Sequence, residues 1–360
     1  MLREWITGAM TEKSTVAEVP AEQITASSDA EVRASRSGLL GRAGDVNWWW
    51  IVGRYGAIFV LVAMIATFAI IEPGSFATSS NAIQILNQSA LTAIVAMGLT
   101  FVLAAGDFDL SVGYATSFGG VLVAGLIQRN GLTIPLAIVL VLVAGAIIGL
   151  VNGLIVTRVG VNALITTLGV GTIVVGINYA YTNGDPVTIN NPTSFIALTF
   201  NKLFGVPYPV YVMFGLAILL WIVLNRTTLG QSIQAVGGNP EAARLSGIRV
   251  DRVRVAAFVI AGACAAASGV LLTSLTGSGA VDGGDSYLLS AFAASFFGSA
   301  VLRDGQFHIV GTLLGVLTVS VGFNAIALLG LNTYAEYVFQ GGLLILAVGV
   351  GTIARRRAAR

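Results

Sequence analysis

The residues of this chain that could do chemistry are few, and their spacing favours docking over catalysis. The most concentrated group is a polar island, Arg226 to Arg254, set between two long charge-poor stretches. Its centre reads Gly237-Gly238-Asn239-Pro240-Glu241-Ala242-Ala243-Arg244-Leu245-Ser246-Gly247. Asn239 is a good N-cap, and Pro240 suits the first helical position because its missing N–H would be an orphan there anyway. Gly247 can take the left-handed conformation that ends a helix, which gives a capped helix of about two turns. Glu241 and Arg244 share a face and can pair with each other or reach a partner. Such a helix is too short to build a domain and well suited to docking into another protein.

Catalytic constellations do not assemble from the rest. The pattern G-x-x-x-x-G-K-[ST] is absent, since neither Lys13 nor Lys202 follows the required glycine, so the chain is not expected to hydrolyse ATP. Gly349-Val350-Gly351-Thr352-Ile353-Ala354 matches a dinucleotide fingerprint by letter only. It closes an apolar run with no unit after it and reads as helix packing. One cysteine, Cys264, and one histidine, His308, leave no zinc cluster and no internal disulfide. Cys264 reads as a packing residue. His308 reads as an interfacial or satisfied imidazole, with a proton relay as the alternative. Asp107 and Asp109 stand in Ala105-Gly106-Asp107-Phe108-Asp109-Leu110-Ser111-Val112-Gly113. Acids at membrane depth are costly and functional by default. The local alternative is that Gly106 turns the chain and Asp109 caps the helix that follows.

The elements that must position these residues are membrane helices. Of 360 residues, 56% are hydrophobic and 10% charged, against about 25% charged in an ordinary soluble domain. A spanning helix needs about 20 mostly apolar residues. Ten such runs lie near 55–71, 83–104, 110–128, 134–157, 162–182, 208–225, 255–275, 287–302, 307–329 and 336–353. They are continuous and lack period-two alternation, which selects an all-α integral membrane fold over a barrel. Gly145, Gly149 and Gly153 on one run, and Gly311 and Gly315 on another, read as close-packing seams.

Orientation follows from the basic residues. With the N-terminus inside, Arg158, Arg226, Arg244, Arg249, Arg252, Arg254, Arg303, Arg355, Arg356, Arg357 and Arg360 fall inside, and only Arg129 and Lys202 outside. Both termini are therefore expected in the cytoplasm. Residues 1–54 read as a polar cytoplasmic tail, 55–353 as the transmembrane domain with a cytoplasmic loop at 226–254, and 354–360 as a basic tail. The longer external connections are expected at 183–209, which could face an extracytoplasmic partner, and at 276–286.

Three segments resemble the permease subunits of bacterial ABC importers for monosaccharides, the ribose, xylose and galactose class. They are Ala96-Met97-Gly98-Leu99-Thr100-Phe101-Val102 running into Asp107–Gly113, then Gly149-Leu150-Val151-Asn152-Gly153-Leu154-Ile155-Val156-Thr157 with Thr167-Leu168-Gly169, and Gly230 through Gly247 with Ile248. The likeness runs from about residue 55 to the C-terminus. The family pattern has Gly-Gly-Ile before Asp-Leu-Ser-Val-Gly, so Asp107 departs from it and Asp109 is the matching acid.

The resemblance implies ABC importer permease architecture with about ten transmembrane helices in the bacterial inner membrane. It implies a second permease copy, a separate ATP-binding subunit that uses ATP and magnesium, and an external sugar-binding protein. No cofactor, metal or nucleic acid is expected on this chain. The coupling element would be Gly238, Asn239, Pro240, Glu241, Ala242, Ala243, Arg244 and Gly247, seated in a groove of the ATPase. A sugar path should combine amides, hydroxyls and aromatics. Candidates are Asn87, Gln88, Asp109, Asn152, Thr166, Thr167, Asn178, Phe292, Phe296 and Asn324, each with the alternative of an inter-helix hydrogen bond or core packing. The rival readings are a permease for a nucleoside or branched-chain amino acid, an ion-coupled carrier, and a scaffold without flux.

Overall fold

The computed structural model describes residues 48–190, 193–299 and 305–358. The chain divides into two units, Met1–Trp48 and Trp49–Arg360, and the fold below is that of the second. The tail expected over residues 1–54 falls outside the described residues up to position 47, as do Arg303 and Arg360 of the orientation argument.

Among the described residues all ten apolar runs fall on helices, the run at 287–302 being described as far as Ser299. In chain order the first half holds α1 (Trp48–Ile71), α2 (Ser79–Ala104), α3 (Val112–Gln128), α4 (Ile134–Leu154, prolonged by a π-helical turn at Ile155–Val159) and α5 (Ala163–Thr182). A connection follows with β1 (Val187–Thr188), α6 (Thr193–Phe200), β2 (Lys202–Leu203) and β3 (Val206–Pro207). Then come α7 (Tyr208–Arg226), α8 (Thr228–Gly238), α9 (Pro240–Leu245), α10 (Val250–Thr276), β4 (Ser278–Gly279), α11 (Asp285–Ser299), α12 (Ile309–Leu328) and α13 (Tyr334–Ala358). β2 and β3 form a hairpin, and β1 pairs antiparallel with β4, Val187 opposite Gly279.

Among the described residues six helices are long and apolar enough to cross a bilayer: α2, α4 with its π turn, α5, α7, α10 and α12. α3 has 17 residues and α11 has 15. At 1.5 Å per residue α3 covers about 26 Å, short of a hydrocarbon core of about 30 Å. α3 and α11 are entered the same way. A long helix ends, a glycine at positive φ turns the chain (Gly106, φ 85°; Gly277, φ 75°), and a non-helical segment leads into the next helix. The 276–286 stretch, expected as an external loop, lies against α3. The Gly284 N–H donates to Ser117 Oγ at 2.8 Å, and a Cβ on Gly279 would overlap the Gly120 carbonyl.

Burial sorts the helices. The most apolar window of α2 is 83% buried, whereas those of α4, α5 and α7 are 28–33% buried and leave most of their surface for lipid or another chain. α2 starts on Thr78, whose hydroxyl accepts the Asn81 N–H. The glycine seams hold the bundle together. On α4, a Cβ at Gly149 would overlap the Phe258 carbonyl oxygen of α10, and Gly153 leaves only 2.8 Å between such an atom and the Val255 Cα. Gly311 and Gly315 likewise bring α12 onto the Gly298 and Ala294 carbonyls of α11. Cys264 is buried and packs against Gly98. His308 accepts the Gly311 N–H on Nδ1 at 2.9 Å and so caps α12.

α2 and α12 are also pinned by a reciprocal amide pair. Asn81 Nδ2 donates to Asn324 Oδ1 at 2.9 Å and Asn324 Nδ2 to Asn81 Oδ1 at 2.8 Å. Asn324→Leu is expected to cost about 1–3 kcal/mol because it strands Asn81 Oδ1, while Asn81 Nδ2 keeps its bond to the Phe76 carbonyl, and Asn81→Leu with Asn324→Leu should cost less than the single change. Thermal unfolding in detergent reads both, and additive losses would contradict it.

Candidate functional site

The non-helical segment 105–111 is where the sequence candidates converge. It leaves α2 through Gly106 and returns as α3 at Val112. Asp109 is 1% exposed, and its Oδ1 accepts both the N–H (2.8 Å) and the hydroxyl (2.5 Å) of Ser111. Asp109 therefore does not cap α3 in the expected way. The cap position is Ser111, without a side-chain cap bond, and the carboxylate is spent on the turn before it. Asn152 of α4 donates to Ser111 Oγ at 2.8 Å, and Thr167 of α5 accepts the Leu110 N–H at 3.0 Å. One oxygen of Asp109 and the Asn152 carbonyl oxygen are buried without a hydrogen-bond partner. Two unmet acceptors in one buried network are expensive unless something brings donors, and hydroxyls are donors.

Phe108 carries the segment to the aromatic candidates. Its ring stacks on Phe292 (6.4 Å between centroids) and Phe296 (6.3 Å), both on α11, and Phe307 meets Phe296 edge-on at 5.2 Å. Asn152, Thr167, Phe292 and Phe296 thus gather around the four consecutive residues Phe108–Ser111, which include Asp109. Thr166 is buried beside Thr167 with its hydroxyl unpartnered. The others lie apart from this centre. Asn324 is committed to Asn81. Gln88 is exposed on α2, Asn87 is part-buried with an unpartnered carbonyl, and Asn178 is buried in α5 with an unpartnered amide nitrogen.

Two contacts here are between residues too distant in sequence to be paired by spacing. Arg254 of α10 grips Asp107 with two hydrogen bonds, Nε to Oδ2 at 2.6 Å and Nη2 to Oδ1. Gly237, at the end of α8, lies on the end of α2, where a Cβ would overlap the Ala104 carbonyl oxygen.

The polar island holds two helices. α8 is amphipathic, with Gly230, Ile233 and Val236 turned inward. α9 follows with the expected caps. Asn239 Oδ1 accepts the Glu241 and Ala242 N–H groups at 3.0 Å each, and Gly247 sits at φ 83°. Of the expected coupling residues, Ala243 is buried, and Glu241 and Arg244 are exposed 3.8 Å apart. An exposed pair of this kind contributes only a few tenths of a kcal/mol, so it does not hold the helix. Leu245 is 90% exposed. Cations and apolar side chain are presented together on a short capped rod. A cavity of about 440 Å³ lined by Leu142, Val212, Leu216, Ala267 and Leu271 lies elsewhere and is almost wholly apolar, so it does not suit a polyhydroxylated solute.

The family model described as branched-chain amino acid transport system / permease component matches residues 81–348. The chain is similar to the ribose import permease protein RbsC of Bacillus subtilis (strain 168), 36% identical over 298 residues, 82% of this chain and 91% of that protein. It is similar to RbsC of Escherichia coli (strain K12), at 34% over 297 residues, 81% of this chain and 90% of that one. The L-arabinose transport system permease protein AraH of Escherichia coli (strain K12) is 36% identical over 314 residues, 87% of this chain and 95% of that protein. No solved structure matches.

Proposed function

The chain belongs to this family of multi-pass inner-membrane permeases, and from that premise we propose that it is the membrane subunit of an ATP-driven importer for a monosaccharide, a pentose first. The observation that carries the sugar reading is the likeness to ribose and arabinose permeases over 81–87% of the chain. In this reading the chain passes the membrane ten times with both termini in the cytoplasm. Two copies enclose the path, an external binding protein delivers the sugar, and a separate ATPase with its magnesium supplies the energy. α9 is the coupling element. Its double capping, its exposure and the bare Leu245 support that role.

The chemistry of the path follows from the site. A pentose brings hydroxyl donors and a weakly apolar ring face. The unmet oxygens of Asp109 and Asn152 can accept from the hydroxyls, and the Phe108, Phe292 and Phe296 rings can face the ring. Selection can rest on the binding protein, so weak contacts suffice here. Asn152→Ala removes one of those acceptors and releases Ser111, and uptake is expected to fall about fivefold or more with assembly intact. Full uptake would remove Asn152 from the path.

Reconstitution with the ATPase and binding protein tests the function. ATP hydrolysis stimulated by the loaded binding protein is scored against pentoses, hexoses, polyols, nucleosides and leucine. Stimulation by pentoses is expected. Stimulation by leucine alone would overturn the sugar reading in favour of an amino-acid permease.

A further inference from the structure

We propose that Phe108, Phe292 and Phe296 close the cytoplasmic end of the solute path, and that the Asp107–Arg254 pair ties this closure to the helices that receive the ATPase. The inference rests on the importer reading. Its geometry lies in three consecutive residues with three different fates. Asp107 is held by Arg254, Asp109 is buried in the Ser111 turn, and Phe108 between them is 37% exposed. The three rings form a near-equilateral triangle, 6.3–6.4 Å between centroids and 15–22° between planes. These separations lie within the range of attractive aromatic pairs.

Two of the rings are fixed to one helix. Phe292 and Phe296 are four residues apart on α11 and share its face. The Asp107 N–H still bonds the Val102 carbonyl of α2 at 3.0 Å, but Phe108 itself stands outside any helix and can leave the triangle without moving one. By the basic-residue topology, Phe108, Phe296 and Phe307 lie at cytoplasmic helix ends. A stacked triangle there blocks a polar solute, and withdrawal of one ring opens it.

The α2 end of the segment is gripped twice by the coupling loop. Gly237 closes α8 against Ala104 and Ala105, just before Gly106. Arg254 sits in the second turn of α10, joined to α9 by only Ser246–Arg249, and takes both oxygens of Asp107. A two-pronged guanidinium–carboxylate bond fixes direction as well as distance. Asp107 is 6% exposed, so separation would leave a carboxylate largely out of water. A displacement of α9 therefore reaches residues 104–107 through α8 and α10 together. Phe108 is the next residue. Asp107 and Arg254 are positioning residues, and Phe108 is the part that moves.

The test uses proteoliposomes holding the permease, its ATPase and its binding protein. Two quantities are read: labelled pentose taken up per ATP hydrolysed, and ATP-independent efflux of preloaded pentose. Asp107→Asn and Arg254→Gln should each lower uptake per ATP about fivefold or more. The exchanged pair Asp107→Arg with Arg254→Asp should recover most of that loss, which a merely structural pair removed by mutation would not do for coupling. Phe108→Ala should raise efflux roughly fivefold to tenfold, and Phe108→Leu less. Phe108 is exposed, so these variants keep the test decisive if the charge variants fail to assemble. Wild-type efflux in Phe108→Ala, or unchanged uptake per ATP in both charge variants, would overturn the gate while leaving the importer standing. A wild-type assembly that hydrolyses ATP but moves no pentose would overturn the importer reading, and the gate with it.

Discussion

Gly247→Val is expected to lower ATP-driven uptake at least about tenfold while the chain still reaches the membrane. α9 has six residues, too few to be stable through its own hydrogen bonds, so its existence depends on its ends. The N-terminal end is held by Asn239. At the other end Gly247 sits at φ 83°, donates to the Arg244 carbonyl at 3.0 Å, and lets the Ile248 N–H reach the Ala243 carbonyl at 3.0 Å. A left-handed conformation costs an L-residue about 1–2 kcal/mol, and a β-branched one more. That is comparable with coupling free energies between distant sites, about 1–3 kcal/mol. A Cβ on Gly247 would meet nothing within 4 Å, so the effect is conformational and not a clash. Gly247→Asn should therefore keep much of the uptake, because asparagine tolerates this region. Equal losses in the two variants would contradict the argument.

The second large effect is on stability. Gly149→Leu should lower the stability of the bundle by about 3 kcal/mol or more, at the upper end of overpacking costs. In lipid, helices gain little from apolar burial and associate by close packing of small residues. α4 and α10 meet through Gly145, Gly149 and Gly153 on one side and Gly262 on the other, backbone against backbone. A leucine at Gly149 has to displace the Phe258 carbonyl region, which is helical main chain and cannot give locally. Gly215→Ala on α7 meets nothing within 4 Å and should be neutral or slightly stabilising. Thermal unfolding of the purified chain separates the two. A Gly149→Leu chain as stable as the parent would show that the seam does not hold the bundle.

What the sequence made legible was local or periodic. Apolar run length located ten of the thirteen helices among the described residues. The caps of α9 were readable because Asn239, Pro240 and Gly247 act through residues two to four positions away. Glycine steps of four announced the α4 and α12 seams for the same reason. α8 was missed although Thr227 caps it and Leu229, Ile233 and Val236 recur at helical spacing, because the polar island invited a search for charge instead of a buried face. The Asp107–Arg254 pair at the site and the Asn81–Asn324 pair between α2 and α12 join residues 147 and 243 positions apart. No spacing rule links such residues. Asp107 alone left a trace, as a departure from the resembled motif.

The most direct test is labelled pentose uptake by the reconstituted assembly, with ATP supplied, with ATP withheld, and with ionophores collapsing every ion gradient. Uptake should require ATP and the binding protein and should survive the ionophores. Uptake that persists without ATP and vanishes with the gradients would contradict the account, and would make the chain an ion-coupled carrier.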